Sequence, residues 1–566
     1  MRSRNAISAY VVGIVIISIF SGIQTMHAEA KDGSFGGGDG TAGNPYVIED
    51  VWDLQNMSSY LSAHYVLKND IDASATVSWN LGAGFVPVGT SSSKFTGSLE
   101  GNNHTITGLF INRSTTSYIG LFGTIDSGGS VKDLGLLDID MTGDMDVGGI
   151  VGFNNYGTIT NCYAAGNVTG YDSCTGGLVG INNYGTVSNS FFTGNVTGNE
   201  HVGGLVGRHR YGIMVNNSFS SGTVTGTIDV GGLVGAIQMY GTVSNSHYNI
   251  DDVSINGGYH VTIGGLFDAQ YQDWYSSGLS LSISEFGTTL VPSGIYYEIS
   301  NVQGLRDLLG FAGVGGYRFR LVADIDLSTA PGLCIPYLAA EFDGANHTIS
   351  NLRINFSSAA CTGMFGFNSG GTIKDIGVVD CDVTGGYFIG GLLGYNYNGI
   401  VSNSYATGNI SGDTFVGGLL GNNYNGTVSN SYATGNLNGD TCVGGLVGAS
   451  DRGKVSNSYA TGEVSGTEQV GGLIGYLRSY LVTNSYAIGN VSGEDDIGGL
   501  VGYSEFGWVF HCYATGVVTG SHVGGLLGRN LDTVTASYWD KETSHQNSSD
   551  GGIGKTTAEM KTRSTF

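Results

Sequence analysis

The sequence is short of several things at once. Of 566 residues only 5 are proline, 7 are cysteine and 12% are charged, and no long apolar run follows residue 23. Each shortage excludes something. Little proline and no strict Gly-x-y period rule out a collagen-like chain. The seven cysteines (Cys162, Cys174, Cys334, Cys361, Cys381, Cys442 and Cys512) are too few for a disulfide framework. No C-x-x-C occurs, which leaves zinc-ribbon and thioredoxin-like readings without support. Most of these cysteines are expected to be small buried hydrophobes. No His-Glu dipeptide occurs, so the H-E-x-x-H of a zinc peptidase is missing. Gly554-Lys555-Thr556 imitates the end of a phosphate loop, but Ser549 stands where that loop needs its first glycine. No nucleophile elbow lies in a strand-turn-helix context.

What is abundant is glycine. The 98 glycines are about 17% of the chain, against an ordinary share of about 7%. Each interior glycine costs a helix about 1 kcal/mol relative to alanine, so an all-helical chain is excluded. Hydrophobic residues at 40%, with 32 Tyr and 23 Phe, supply enough apolar surface for a core, which excludes disorder. A Gly-rich, β-dominated chain long enough for two or more domains remains.

Residues 1–30 read as a secretory signal: Arg2 and Arg4, an apolar stretch over 6–23, then Ala28-Glu29-Ala30 as a cleavage site. An uncleaved membrane anchor is the rival reading. The chain carries 22 basic and 46 acidic residues for a net charge of −24, and cleavage makes it one unit more negative. Such a chain is repelled by nucleic acid and by anionic membranes. Membrane contact is expected only through the N-terminus if it stays uncleaved.

Repetition decides the architecture. The string GG(L/I)(V/L/I)G starts at Gly148, Gly176, Gly203 and Gly231, with a degenerate copy at Gly264, and returns at Gly390, Gly417, Gly444, Gly471, Gly498 and Gly524. Forerunners begin at Gly120 and Gly363, so the repeats span 120–268 and 363–528. One unit, residues 417–443, reads GGLLGNNYNGTVSNSYATGNLNGDTCV. It contains three short extended pieces separated by polar turns. A unit this short cannot bury a core alone, so the repeats are expected to stack as coils of a parallel β-solenoid, three short strands per coil, right-handed by the usual preference.

Period-two alternation places Val428, Asn430 and Tyr432 on one face and Ser429 and Ser431 on the other. The first set is expected inward, stacking as aliphatic, asparagine and aromatic columns with their counterparts Val455, Asn457 and Tyr459, and in the first half Val187, Asn189 and Phe191. A second duplication flanks the repeats: 95–112 matches 342–355, and 65–74 matches 319–328. Upstream of each lies a candidate cap helix, with Val51, Leu54, Met57 and Leu61 in the first half. The second has Val302, Leu305, Leu308 and Leu309, with Ser300 or Asn301 as N-cap. The organisation expected is signal 1–30, a capped solenoid over 31–290, a second over 291–540 and a tail over 541–566.

The repeated GG(L/V/I)xG string with its trailing TVSNSYATGN segment resembles the GLUG-motif repeat of bacterial and archaeal surface proteins. The DIDLS and FDGANHTI segments resemble regions that accompany it. The resemblance covers nearly the whole chain beyond residue 30. It implies a β-helix-like fold and secretion or surface display, but no single activity, because such repeats occur in adhesin-like proteins and beside peptidase domains. The end of the chain resembles the family's segment after the last repeat, without a further strand or anchor.

No catalytic, cofactor-binding or metal-binding residue is assigned. Three outer features remain. One acid per coil precedes each GG pair, at Asp144 and Asp146, Asp172, Glu200 and Asp229, then Asp413, Asp440, Glu468 and Glu494 with Asp495 and Asp496. This edge is read as a solvated, self-repelling one, with Ca²⁺ binding as the sharper alternative. A Thr/Ser column runs through Thr169, Thr197 and Thr225, then Ser411, Asn438, Ser465, Ser492 and Thr519. Tyr397 and Tyr424 are the candidates for an exposed aromatic row. The expected function is a non-enzymatic secreted or cell-surface scaffold, adhesin-like, touching extracellular glycans, matrix or other surface components. A polysaccharide lyase or hydrolase on a β-helix and a carbohydrate-binding module are the alternatives.

Overall fold

The structure, a computed structural model, describes residues 34–211, 215–238, 241–531 and 533–562. The expected signal segment lies outside them. Among the described residues every ladder between strands is parallel except one hairpin, Val291–Ser293 with Tyr296–Ile299. Coils stack one residue row upon the next, as in Val401↔Val428, Val428↔Val455 and Val455↔Val482. The chain is the β-solenoid expected, built twice.

Each coil has four faces where three strands were expected. The coil beginning at Thr414 runs through strands Thr414–Gly417, Leu420–Tyr424, Thr427–Ser429 and then Tyr432–Ala433 with Leu437–Asn438. The Gly-Gly piece is cut by a turn, so its two ends join different sheets. That turn admits no side chain: a Cβ on Gly417 would sit 2.0 Å from the Leu420 carbonyl oxygen, and one on Gly418 would sit 2.3 Å from that of Gly445. The stacked faces form sheets of four, five, eight and ten strands in the first half and seven, eight, eleven and fifteen in the second.

The inward valine column is present: Val401, Val428, Val455, Val482 and Val509 are fully buried. The asparagine and aromatic columns are not inward, and here the expectation is corrected. Asn430 adopts φ +50, as do Asn403, Asn457 and Asn484 within a degree. This left-handed corner, which Asn tolerates, restarts the alternation. Ser431 and Ala433 therefore turn inward, while Asn430 is exposed and Tyr432 half-buried. In the first half Val187 is buried, Asn189 exposed and Phe191 half-buried in the same way. The amides still form a ladder, but outside, with Asn430 Nδ2 donating to Asn403 Oδ1 at 3.2 Å and Asn484 Nδ2 to Asn457 Oδ1 at 3.2 Å.

The buried polar ladders come from residues the alternation argument passed over. Asn368 donates to Asn396 and Asn396 to Asn423, both at 2.9 Å, and each also donates to the glycine carbonyl three residues on. Asn154 and Asn182 repeat this in the first half. Beside the corner, Ser404, Ser431, Ser458 and Ser485 are buried; the Ser431 hydroxyl donates to the Ser429 carbonyl at 2.8 Å and accepts the Ser404 N–H at 3.2 Å.

Both cap helices form. Val51–Asn56 is capped by Asp50, with Met57 continuing as a 3₁₀ turn and Leu61 falling outside. Val302–Leu308 is capped by Asn301, whose Oδ1 accepts the Gly304 N–H at 3.0 Å. A third helix, Asp268–Ser276, closes the first half and buries Trp274. At the other end the tail is a lid rather than a free segment. Asp550 N–H donates to the Leu527 carbonyl, and a further strand, Ile553–Lys555, pairs with Tyr538–Asp540. Lids of this kind cover edges that would otherwise recruit strands. The halves meet where Val230 N–H donates to the Ser358 carbonyl at 3.1 Å, and one contiguous apolar cluster runs from Ile48 to Trp539. No described helix is long and apolar enough to cross a membrane.

Candidate functional site

Stacking determines which surface groups remain available. Tyr405, Tyr432, Tyr459, Tyr486 and Tyr513 stack at 4.8–4.9 Å with interplanar angles of 1–6°. Tyr156, Tyr184 and Tyr211 do the same at 4.7 and 4.5 Å. In such a ladder each ring face is covered by its neighbour, so only edges meet solvent. A row of tyrosines on a solenoid is therefore not by itself a sugar-stacking platform. Free faces occur where a ladder begins, ends or is broken.

One break lies in the last coils. Tyr480 replaces the glycine of NNYNG, and Trp508 lies in register with Leu481 where earlier coils carry Thr427 and Lys454. Tyr480, Phe506 and Trp508 are 46%, 60% and 50% exposed. Another break lies at the junction of the two halves, where a cleft of about 630 Å³ opens. Tyr397 and Tyr424, the aromatic pair singled out in the sequence, both line it; their rings stack at 5.6 Å. Phe388 lines it too, stacked on Phe415 at 4.9 Å. Its wall from the first half includes Val234, Asp251 and His260, and His260 stacks on Phe356 across the junction at 4.0 Å.

The Thr/Ser column forms one rim of a shallow groove of about 400 Å³. Ser411, Asn438, Ser465 and Ser492 face the row Asn409, Asn436, Glu463 and Asn490 across it. The groove exists because the strand bends at a glycine. A Cβ on Gly435 would lie 1.7 Å from the Gly408 carbonyl oxygen. Part of its hydrogen-bonding capacity is used internally, as in Ser465 Oγ donating to Asn438 Oδ1 at 3.0 Å.

The acidic edge does not converge. Asp172, Asp413, Asp440, Glu468 and Glu494 are exposed, whereas Asp146 and Asp496 are buried. Among the described residues no three His, Cys, Asp or Glu side chains come together to hold a metal, so the calcium alternative gains no support.

The first half has one coil of concentrated charge, EHVGGLVGRHR over 200–210. Asp146, Cys174, His201 and Asp229 occupy the left-handed corner of four successive coils, at φ +54 to +65. His201 lies between carboxylates, with Nδ1 2.7 Å from Asp229 Oδ2, a contact without hydrogen-bond alignment, and Nε2 3.3 Å from Glu200 Oε1. Burial pushes the Cys174 thiol up to about 12 and the Asp146 carboxyl up to about 6. A thiol held protonated is a poor nucleophile, and both nitrogens of the adjacent imidazole face carboxylates. The row has the residue types of a Cys-His-Asp triad without its chemistry. Neither the junction cleft nor this row follows from the repeat spacing. The departure of residues 200–210 from the GNNYNG pattern was the available signal for the latter.

The GLUG motif matches at residues 143–169, 171–197, 198–225, 385–411, 415–438 and 439–465. Halomucin of Haloquadratum walsbyi is 43% identical over 141 residues, 24% of this chain and 2% of that protein. A protein of Evansella cellulosilytica, provisionally named a Gly-rich membrane protein, is 40% identical over 152 residues, 26% of this chain and 18% of that one. The chain thus spans less than a fifth of either relative's length. A solved structure from Bacteroides ovatus, provisionally described as an immunoglobulin A1 protease, has 23% identity and a TM-score of 0.34, over 47% of this chain and 85% of that one. The GLUG motif thus recurs three times in each solenoid.

Proposed function

We propose that this protein is a secreted or cell-surface scaffold that contacts glycans or matrix without altering them. The observation that carries this reading is the self-satisfaction of its columns. Along both solenoids buried amides bond to amides, hydroxyls to carbonyls and rings to rings, with single acceptors such as Asn154 Oδ1 and Asn368 Oδ1 left over where a ladder starts. Such a surface is rigid, repetitive and suited to display. The names of the relatives, a halomucin and a Gly-rich membrane protein, fit an extracellular or surface setting.

The test is a glycan array and a cell-binding assay with the full chain, followed by product analysis of every bound polysaccharide. Binding with intact products is expected. Release of unsaturated or reducing ends would overturn the reading in favour of a β-helix polysaccharide enzyme.

A further inference from the structure

We propose that the cleft between the two solenoids binds an apolar molecule ending in a single carboxylate, with that carboxylate on Arg306. The inference goes beyond the scaffold reading and does not depend on it. Its first support is the cleft itself. About 630 Å³, mostly apolar in lining with a few polar groups, is the form of a small-ligand site. Its walls are packed and held in place. Phe388 packs against both Phe415 and Tyr395, each ring centre 4.9 Å away, and Tyr395 stacks on Phe367 at 5.1 Å. Across the junction, Gln270 Nε2 donates to the Asp307 carbonyl at 2.7 Å, fastening the second cap helix to the helix that closes the first half. A cavity with such walls stands preorganised, which lowers the cost of filling it.

The second support is a pair of polar groups left without partners. Arg306 lines the cleft from that cap helix, whose Leu305 and Leu308 are buried in the core. Its guanidinium carbon lies 4.7 Å from the Phe267 ring centre, and its buried Nε has no hydrogen-bond partner. Thr362, 4% exposed, lines the cleft too, and its Oγ1 is likewise unpartnered. Buried polar atoms are paired as a rule, and a guanidinium pairs only with acceptors. The chain's own carboxylates are engaged elsewhere. Asp307 accepts from Thr289 and Gln303 at 2.6 and 2.9 Å, Asp268 accepts from Asn249 at 2.9 Å, and Asp251 takes the Asp268 N–H at 2.9 Å. Among the described residues no carboxylate forms an ion pair with Arg306.

These groups define the ligand class. A cationic head would meet the guanidinium, and a wholly apolar molecule would leave Nε unpaired. Asp229 and Asp251 stand on the wall from the first half, so a doubly charged head such as a phosphate would meet more repulsion than a carboxylate. A carboxylate accepts two parallel N–H bonds from a guanidinium, while an apolar body covers the rest of the lining.

The test is calorimetric titration of the full chain with dodecanoate and naphthoate, an aliphatic and an aromatic acid, beside dodecanol and dodecyltrimethylammonium. Each is kept below its aggregation concentration. Variants are Arg306→Gln, Ala236→Phe, which fills the cleft from the strand Val234–Gln238, and Arg478→Gln, a half-exposed arginine outside the cleft. Thermal melts confirm folding. The expected result is one-to-one binding of at least one carboxylate, about tenfold or more tighter than dodecanol, with no binding of the ammonium. Arg306→Gln is expected to remove that tenfold advantage, Ala236→Phe to abolish binding and Arg478→Gln to change nothing. Should Arg306→Gln fail to fold, the series of head groups and Ala236→Phe decide. Equal affinity for all heads, binding that survives both cleft changes, binding lost with Arg478→Gln, or no binding of either acid overturns the proposal. Each of these leaves the glycan reading standing, since that reading is tested on the array.

Discussion

The buried amide ladder makes a quantitative prediction. Asn396 is fully buried. Its Nδ2 donates to Asn423 Oδ1 at 2.9 Å and to the Gly399 carbonyl at 3.0 Å, and its Oδ1 accepts from Asn368. Asn396→Ala strands two acceptors and removes one acceptor, all inside the core. A buried group left unsatisfied costs about 1–3 kcal/mol, so the variant is expected to lose about 4 kcal/mol locally. Asn430 is the comparison. It makes a similar amide bond, to Asn403 at 3.2 Å, but on the solvent side at φ +50. Asn430→Gly keeps that backbone conformation available and is expected to cost about 1 kcal/mol or less. Stacked coils couple mainly to their neighbours and need not unfold in one step, so native-state hydrogen exchange of the amides over 390–430 is the assay. Equal costs for the two changes, or a greater cost for Asn430, would refute the assignment of inner and outer ladders.

Further outcomes follow from other columns. Gly435→Ala, with its new Cβ 1.7 Å from a backbone oxygen, is expected to abolish exchange protection in the adjoining coils; full protection would contradict the tight bend. Tyr459→Ala uncovers one face each of Tyr432 and Tyr486 and is expected to cost about 1–3 kcal/mol at two stacking contacts, read by denaturant titration. Burial holds the Asp146 carboxyl neutral up to about pH 6, above its unfolded value of 3.8. Its stabilisation is thus complete below pH 4 and lost as pH rises through 6, by about 3 kcal/mol; the difference between wild type and Asp146→Asn across pH 4–7 reads this. His209 runs the other way. Buried in the amide ladder, with Nδ1 beside Asn182 and Nε2 beside the Thr242 carbonyl, it is pushed down to about 4. Its contribution is full above pH 6.5 and falls as pH drops toward 4, and His209→Asn is expected to abolish that acid loss.

The repeat period, the doubling of the solenoid and both cap helices were legible from spacing alone, because glycine positions and apolar recurrence encode them locally. The phase of the faces was legible only up to the corner. Val428 follows the alternation, but the left-handed Asn430 inverts it, and no period-two argument passes through such a residue. The inner Asn ladder was hidden in GNNYNG, where two adjacent asparagines look alike and only the structure shows that Asn423, not Asn422, accepts from Asn396 and joins the ladder. The strand at Ile553–Lys555 needed a long-range partner. The junction cleft depends on how two already folded solenoids meet, with Val230 against Ser358 and His260 against Phe356, and contacts of that range leave no periodic trace.

The parallel stacking of coils also sets how the chain bears load. Backbone hydrogen bonds between coils lie along the stack, so tension in that direction strains them in series rather than in parallel. Each coil gives way by itself once its neighbour has gone, lengthening the chain in steps of about one repeat while the rest stays intact. A tether built this way yields gradually and can re-form coil by coil on the template beneath. Such behaviour would dissipate a sudden pull at a surface instead of transmitting it.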